Sequence, residues 1–117
     1  MSDIHLDSTV LASLQDVMED EYPVLLDTFL ADSEERLRLL RVAAEAADAQ
    51  GLRLAAHSFK GSCSNMGAPT LAGLCRQLEE IGRKEQLDEA AELIDQVERE
   101  FAIVRILFKA ERQRYRP

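Results

Sequence analysis

The sequence predicts an all-α protein, an antiparallel up-and-down four-helix bundle with a short additional N-terminal helix. Three observations carry this. Ala, Leu, Glu and Arg dominate the 117 residues, and there are only five glycines, three prolines and no Trp, a composition rich in helix formers. Apolar residues recur at helical spacing through one short and four long stretches. The connections between the long stretches are short, which forces neighbouring helices to run antiparallel. The length is that of a single domain, 1–117, able to bury one core without staples.

The elements follow in order. Asp7 and Ser8 are good N-caps for a short helix over about 9–18, with Val10, Leu11, Leu14, Val17 and Met18 on one side. It is too short to span the domain and closes one end of it. Pro23 suits a first helical position, and Leu25, Leu26, Phe29, Leu30, Leu37, Leu40 and Ala44 keep helical spacing through about 23–47. Asp32, Glu34, Glu35, Arg36, Arg38 and Arg41 fill the opposite, solvated face. Asp48 can cap a third helix over about 49–65, and Gly67 is suited to stop it in a left-handed conformation. Pro69 opens a fourth over about 69–82, with Leu71, Leu74, Cys75, Leu78 and Ile81 as its stripe and Gly82 near its end. Asp88 can cap the last, over about 88–114, whose inner face is Leu93, Ile94, Val97, Phe101, Val104, Leu107 and Phe108. The closing Lys109, Arg112, Arg114 and Arg116 complement a helix C-terminus. His5 precedes the first cap and is assigned no role.

Composition excludes several functions. A net charge of −8 argues against nucleic acid as a partner. No run approaches the roughly 20 apolar residues of a membrane span, and Met-Ser-Asp-Ile-His is no signal peptide. A soluble, cytoplasmic protein, with no membrane partner, is expected. Cys63 and Cys75 lie in apolar-periodic stretches without metal-ligand spacing and read as buried free thiols; no metal and no cofactor is expected.

The chemistry concentrates in His57 to Ala68, which reads His-Ser-Phe-Lys-Gly-Ser-Cys-Ser-Asn-Met-Gly-Ala. At about 100° per residue, Leu52, Ala55, Ala56, Phe59, Cys63 and Met66 form one stripe, and His57 lies about 140° from its middle. His57 therefore points outward, grouped with Arg53, Lys60, Gly61 and Ser64. One helical turn separates His57 from Lys60, so an imidazole sits beside a fixed positive charge, as a nucleophile for an anionic group requires. Glycine costs about 1 kcal/mol against alanine inside a helix, so Gly61, four residues beyond His57, needs a reason, and clearance around the ring supplies one. Glu79 lies at the edge of its stripe. Either it returns alongside His57, fixing the ring tautomer and leaving the other nitrogen free, or it is a plain solvated glutamate; spacing does not choose.

Ala56-His57-Ser58-Phe59-Lys60-Gly61-Ser62-Cys63, then Met66-Gly67-Ala68, then Leu71, Cys75, Leu78 and Glu79 resemble the histidine-containing phosphotransfer (HPt) family of bacterial phosphorelays. The helix pattern is similar to that family over essentially the whole chain. The resemblance implies an HPt-like bundle, standing alone as a relay protein, in which His57 accepts a phosphoryl group from an aspartyl phosphate on one receiver domain and passes it to another. The implied partners are the receiver domains of a hybrid sensor kinase and of a response regulator, met by a monomer that is a phosphoryl carrier and not an enzyme. Lys60 would offset phosphoryl charge, Glu79 would orient His57, and Arg53, Gly61 and Ser64 would serve receiver docking and clearance. With distant charges screened over about 8–10 Å, Arg53, Lys60, Arg76 and Arg83 would matter more at contact than the overall charge.

Three other readings are open to an exposed helical histidine. The phosphoacceptor region of a sensor kinase carries an acidic residue directly after its histidine, where this chain has Ser58, and there is no glycine-rich nucleotide-binding stretch. A binding-only bundle that sequesters a partner protein would leave His57 incidental, and replacing His57 would separate it from a relay. A metal site of His57, Cys63 and Cys75 conflicts with the stripe, which turns both cysteines inward and His57 outward.

Overall fold

The computed structural model describes residues 5–115, which form five α-helices and no strand. Helix α1 spans Ser8–Met18, α2 Tyr22–Glu45, α3 Ala49–Asn65, α4 Pro69–Lys84 and α5 Ala90–Gln113. The four long helices neighbour one another in a closed order, α2 on α3, α3 on α4, α4 on α5 and α5 back on α2. This is the up-and-down bundle the periodicity predicts, with α1 as the additional helix.

The core is built from one stripe of each helix. Leu26, Phe29, Leu30 and Leu40 come from α2, and Leu52, Ala56, Phe59 and Cys63 from α3. Helix α4 adds Leu71, Cys75 and Leu78, and α5 adds Ile94, Val97, Val104 and Phe108. Burying a side chain such as Phe59 stabilises the fold by about 1.5–3 kcal/mol. The Phe29 and Phe108 rings meet with centroids 5.1 Å apart, joining α2 to α5.

Local chemistry sets the ends. Asp7 caps α1 by accepting hydrogen bonds from the Thr9 and Val10 amides, and Asp48 caps α3 by accepting from Gly51. Helix α2 ends at Glu45, two residues short of the expected 47, because Ala47 takes φ +54° and the Asp48 amide turns back to the Ala43 carbonyl at 2.8 Å. The same motif ends α3, with Gly67 at φ +73° and the Ala68 amide donating to the Cys63 carbonyl at 2.9 Å.

Three expectations need correction. Helix α4, expected to end at about 82, runs on to Lys84 and carries Gly82 within its last turn. A Cβ there would lie 2.9 Å from both the Ala49 carbonyl oxygen and the Arg53 amide nitrogen, so this glycine lets the backbone of α3 approach. Asp88 does not cap α5; Leu87–Glu89 make a single 3₁₀ turn and the helix opens at Ala90 without a side-chain cap. Burial of Ala90 and packing of Leu87 on the core set that entry instead. Val17 is 78% exposed, since it lies about 120° around α1 from the buried Leu11.

Helix α1 sits at the end of the bundle where α3 turns into α4. The Asp7 amide donates to the Gly67 carbonyl at 2.7 Å, and Val10 packs against Gly67. His5 is engaged: its Nδ1 lies 2.7 Å from Oε2 of the buried Glu100 on α5. Near the other terminus Arg112 pairs with Asp27 of α2 and Arg114 with Glu111; Arg116 lies outside the described residues. Among the described residues no helix is long and apolar enough to cross a membrane.

Candidate functional site

The seam between α3 and α4 positions the site. Gly82 lies against Ala49 and Arg53. Because the helices run antiparallel, one turn further along α3 and one turn back along α4 bring His57 opposite Glu79. His57 Nδ1 is 2.8 Å from Glu79 Oε2. Lys60, on the next turn of α3, donates from Nζ to Glu79 Oε1 at 2.7 Å. Glu79 thus returns alongside the ring, as one of the two readings of its spacing required. The histidine side chain remains 63% exposed, while Glu79 is 21% and Lys60 29% exposed.

The electrostatics fix the ring's tautomer. The Lys60 ammonium, and after it the hydrogen bond with His57, holds the Glu79 carboxyl below the usual carboxylate range against the opposing effect of partial burial. An ionised carboxylate only accepts hydrogen bonds, so the proton between Glu79 and His57 sits on Nδ1. In the neutral ring the lone pair is then on Nε2, on a side chain that is largely exposed.

Gly61 and Ser64 are exposed on the outward side of α3, and nothing lies within 4 Å of where a Gly61 Cβ would be. A shallow groove that begins one turn beyond His57 is lined by Lys60 and Ser64 of α3, Gly73 and Arg76 of α4, and Asp7 and Val10 at the start of α1. Arg53 is half-buried, its backbone against Gly82. Arg83 does not offer a bare charge, because Glu80 takes its guanidinium through two hydrogen bonds.

Sequence reasoning missed the α2 side of the ring. Leu54, one turn before His57, is 51% exposed, and with Leu39 and Val42 of α2 it lines an apolar groove. The angular arithmetic that turned His57 outward also turns Leu54 outward, so that residue was within reach of the sequence. The hydrogen bond from Arg36 Nε to Ser58 Oγ, 3.0 Å, was not, because it depends on how α2 is rotated against α3.

Cys63 and Cys75 are free and buried, and the Cys63 thiol is pushed up by its hydrogen bond with Cys75 and by burial. Among the described residues, no group of three or more His, Cys, Asp or Glu side chains is placed to hold a metal ion.

The family model of the Hpt domain matches residues 24–106, from the start of α2 to within α5, and so includes His57, Lys60 and Glu79. The chain belongs to the Hpt family. A crystal structure of histidine-containing phosphotransfer protein B (HptB) from Pseudomonas aeruginosa PAO1 is similar at a TM-score of 0.96 and 70% sequence identity, over 98% of this chain and 100% of that one. The comparison with curated proteins gives no match. The Hpt fold and the similarity to a histidine phosphotransfer protein make this chain a histidine phosphotransfer protein of a phosphorelay.

Proposed function

We propose that His57 is the residue that carries the phosphoryl group, taken from the aspartyl phosphate of one receiver domain and delivered to the aspartate of another. The Nε2 lone pair attacks phosphorus in line with the acyl-phosphate bond. The N–P bond forms as the P–O bond breaks, and the receiver's aspartate leaves as a carboxylate. The reverse steps unload the group.

The observation that supports this reading is the carboxylate shared by His57 and Lys60. Glu79 holds Nδ1–H throughout, so it stabilises the positive charge that the ring acquires when Nε2 is phosphorylated. Lys60 can leave Oε1 to meet the phosphoryl oxygens as they arrive. Arg53 and Ser64 border the approach, and Gly61 leaves it open. Receiver sites supply their own carboxylates and Mg²⁺, so the histidine protein needs to present only an oriented ring. On this reading the chain is a stoichiometric carrier, works as a monomer and meets its receivers in the cytoplasm.

The test is incubation of the pure protein with phosphorylated receiver domains, beside His57→Gln. Acid-labile, alkali-stable label on the unaltered protein alone supports the assignment. Label on both proteins moves the acceptor elsewhere. No label from any receiver of the source organism favours a bundle that sequesters a partner.

A further inference from the structure

The arginines of α2 differ in how they are used. Arg38 is held by Glu35 through two hydrogen bonds, and Arg41 by Asp95 and Glu98 of α5. Arg36 forms no ion pair with a described carboxylate. Glu35 is committed to Arg38, Glu34 faces Arg105, and Asp32, which shares the groove, makes no ion pair with Arg36. The single hydrogen bond from Nε to Ser58 Oγ fixes the direction of Arg36 without neutralising it. It aims a half-buried guanidinium at the residue that follows His57 in the chain.

We infer that Arg36 is a docking residue for the receiver, pairing its free Nη groups with a carboxylate on the receiver surface. The inference rests on His57 being the acceptor. A standard protein interface buries about 800 Å² per partner, a disc of roughly 16 Å radius. Ser58 is one residue from His57, about 3.8 Å between Cα atoms, so an interface centred on the ring covers Arg36. Long-range attraction does not bring the partners together, since the chain carries a net charge of −8 and receiver sites are themselves acidic. Local, un-neutralised cations have to supply the complementarity, and arginine is favoured among residues that dominate interfaces. On the α4 flank Lys60 is occupied by Glu79, and the exposed Arg76, which lines the groove with Lys60, is the un-neutralised cation there among the described residues. On the α2 flank Arg36 is the cation hydrogen-bonded to the residue after His57, in a groove that Asp32 and Glu35 also line and that shares Leu39 and Ala55 with the apolar groove of Val42 and Leu54. The partner's matching surface is therefore a carboxylate beside an apolar patch.

The experiment measures transfer from a phosphorylated receiver domain at increasing receiver concentration, for the unaltered protein, Arg36→Glu, Arg36→Lys and Ser58→Ala, with His57→Gln as control. Arg36→Glu should raise the half-saturating receiver concentration roughly tenfold and flatten its salt dependence, leaving the maximal rate within about twofold. Arg36→Lys should recover part of the loss, and Ser58→Ala should give a smaller rise at an unchanged melting temperature. An unchanged half-saturating concentration in Arg36→Glu overturns the inference and gives Arg36 a purely structural role, the more so if melting temperature falls. Absence of transfer to the unaltered protein would instead sink the assignment of His57.

Discussion

His57 and Lys60 hydrogen-bond to opposite oxygens of one carboxylate, Glu79, at 2.8 and 2.7 Å. The carboxylate therefore does two jobs at once. It selects the ring tautomer, and it keeps the lysine one turn away at a fixed height beside the ring. The lysine charge reaches phosphate only by leaving Glu79, so the two partners of the carboxylate are coupled during transfer.

Glu79→Gln removes that charge while an amide oxygen can still accept from Nδ1. Phosphorylation of His57 by a receiver should slow about tenfold, which corresponds to roughly 1.4 kcal/mol of lost transition-state stabilisation. Stopped transfer assays at saturating receiver check it.

The depressed Glu79 pKa makes stability depend on acid. A carboxyl held below its unfolded value stabilises the fold above the ordinary range, and that contribution is lost as pH falls through the folded value. Melting temperature should therefore decline below about pH 4, and Lys60→Met should lose part of the decline. Identical pH profiles for the two proteins would contradict the pairing.

Gly82→Ala and Gly61→Ala should act in opposite directions. A methyl at Gly82 meets the Ala49 and Arg53 backbone, and overpacking of that kind costs about 1–3 kcal/mol. A methyl at Gly61 meets open space and gains up to about 1 kcal/mol of helix propensity. Thermal unfolding of the two variants should bracket the unaltered protein.

Removing the His5 side chain leaves the buried carboxylate of Glu100 without that partner. His5→Ala should destabilise the fold by about 1–3 kcal/mol, read from denaturant unfolding.

Cys63 and Cys75 should resist alkylation in the native protein and both react on unfolding, since both are buried and the Cys63 thiol is raised. Mass spectrometry after iodoacetamide, with and without denaturant, measures this.

The fold class was legible because helical periodicity is a property of the chain itself: Leu52, Phe59 and Cys63 mark the buried side of α3, and His57 falls opposite. What depended on a second helix was not legible. Gly82 sits near where the apolar stripe of α4 runs out, and only the backbone of α3 reveals it as a contact. Asp88 has the side chain of a cap, yet core burial of the following alanine decides where α5 begins. Arg36 sits on a helix face that reads as merely solvated, and its bond to Ser58 exists only through the rotation of α2 against α3.

The seam at Gly82 has a consequence for how this chain can change over generations. The core stripes are apolar and can exchange one side chain for another of similar volume at modest cost. The backbone approach of α4 to Ala49 and Arg53 has no such slack, because every alternative to glycine adds atoms there. Glu79 lies one turn from that contact, so spreading the seam would draw its carboxylate away from the ring. Drift in the interior is buffered, whereas the reactive geometry hangs on a hydrogen where every other residue has a carbon.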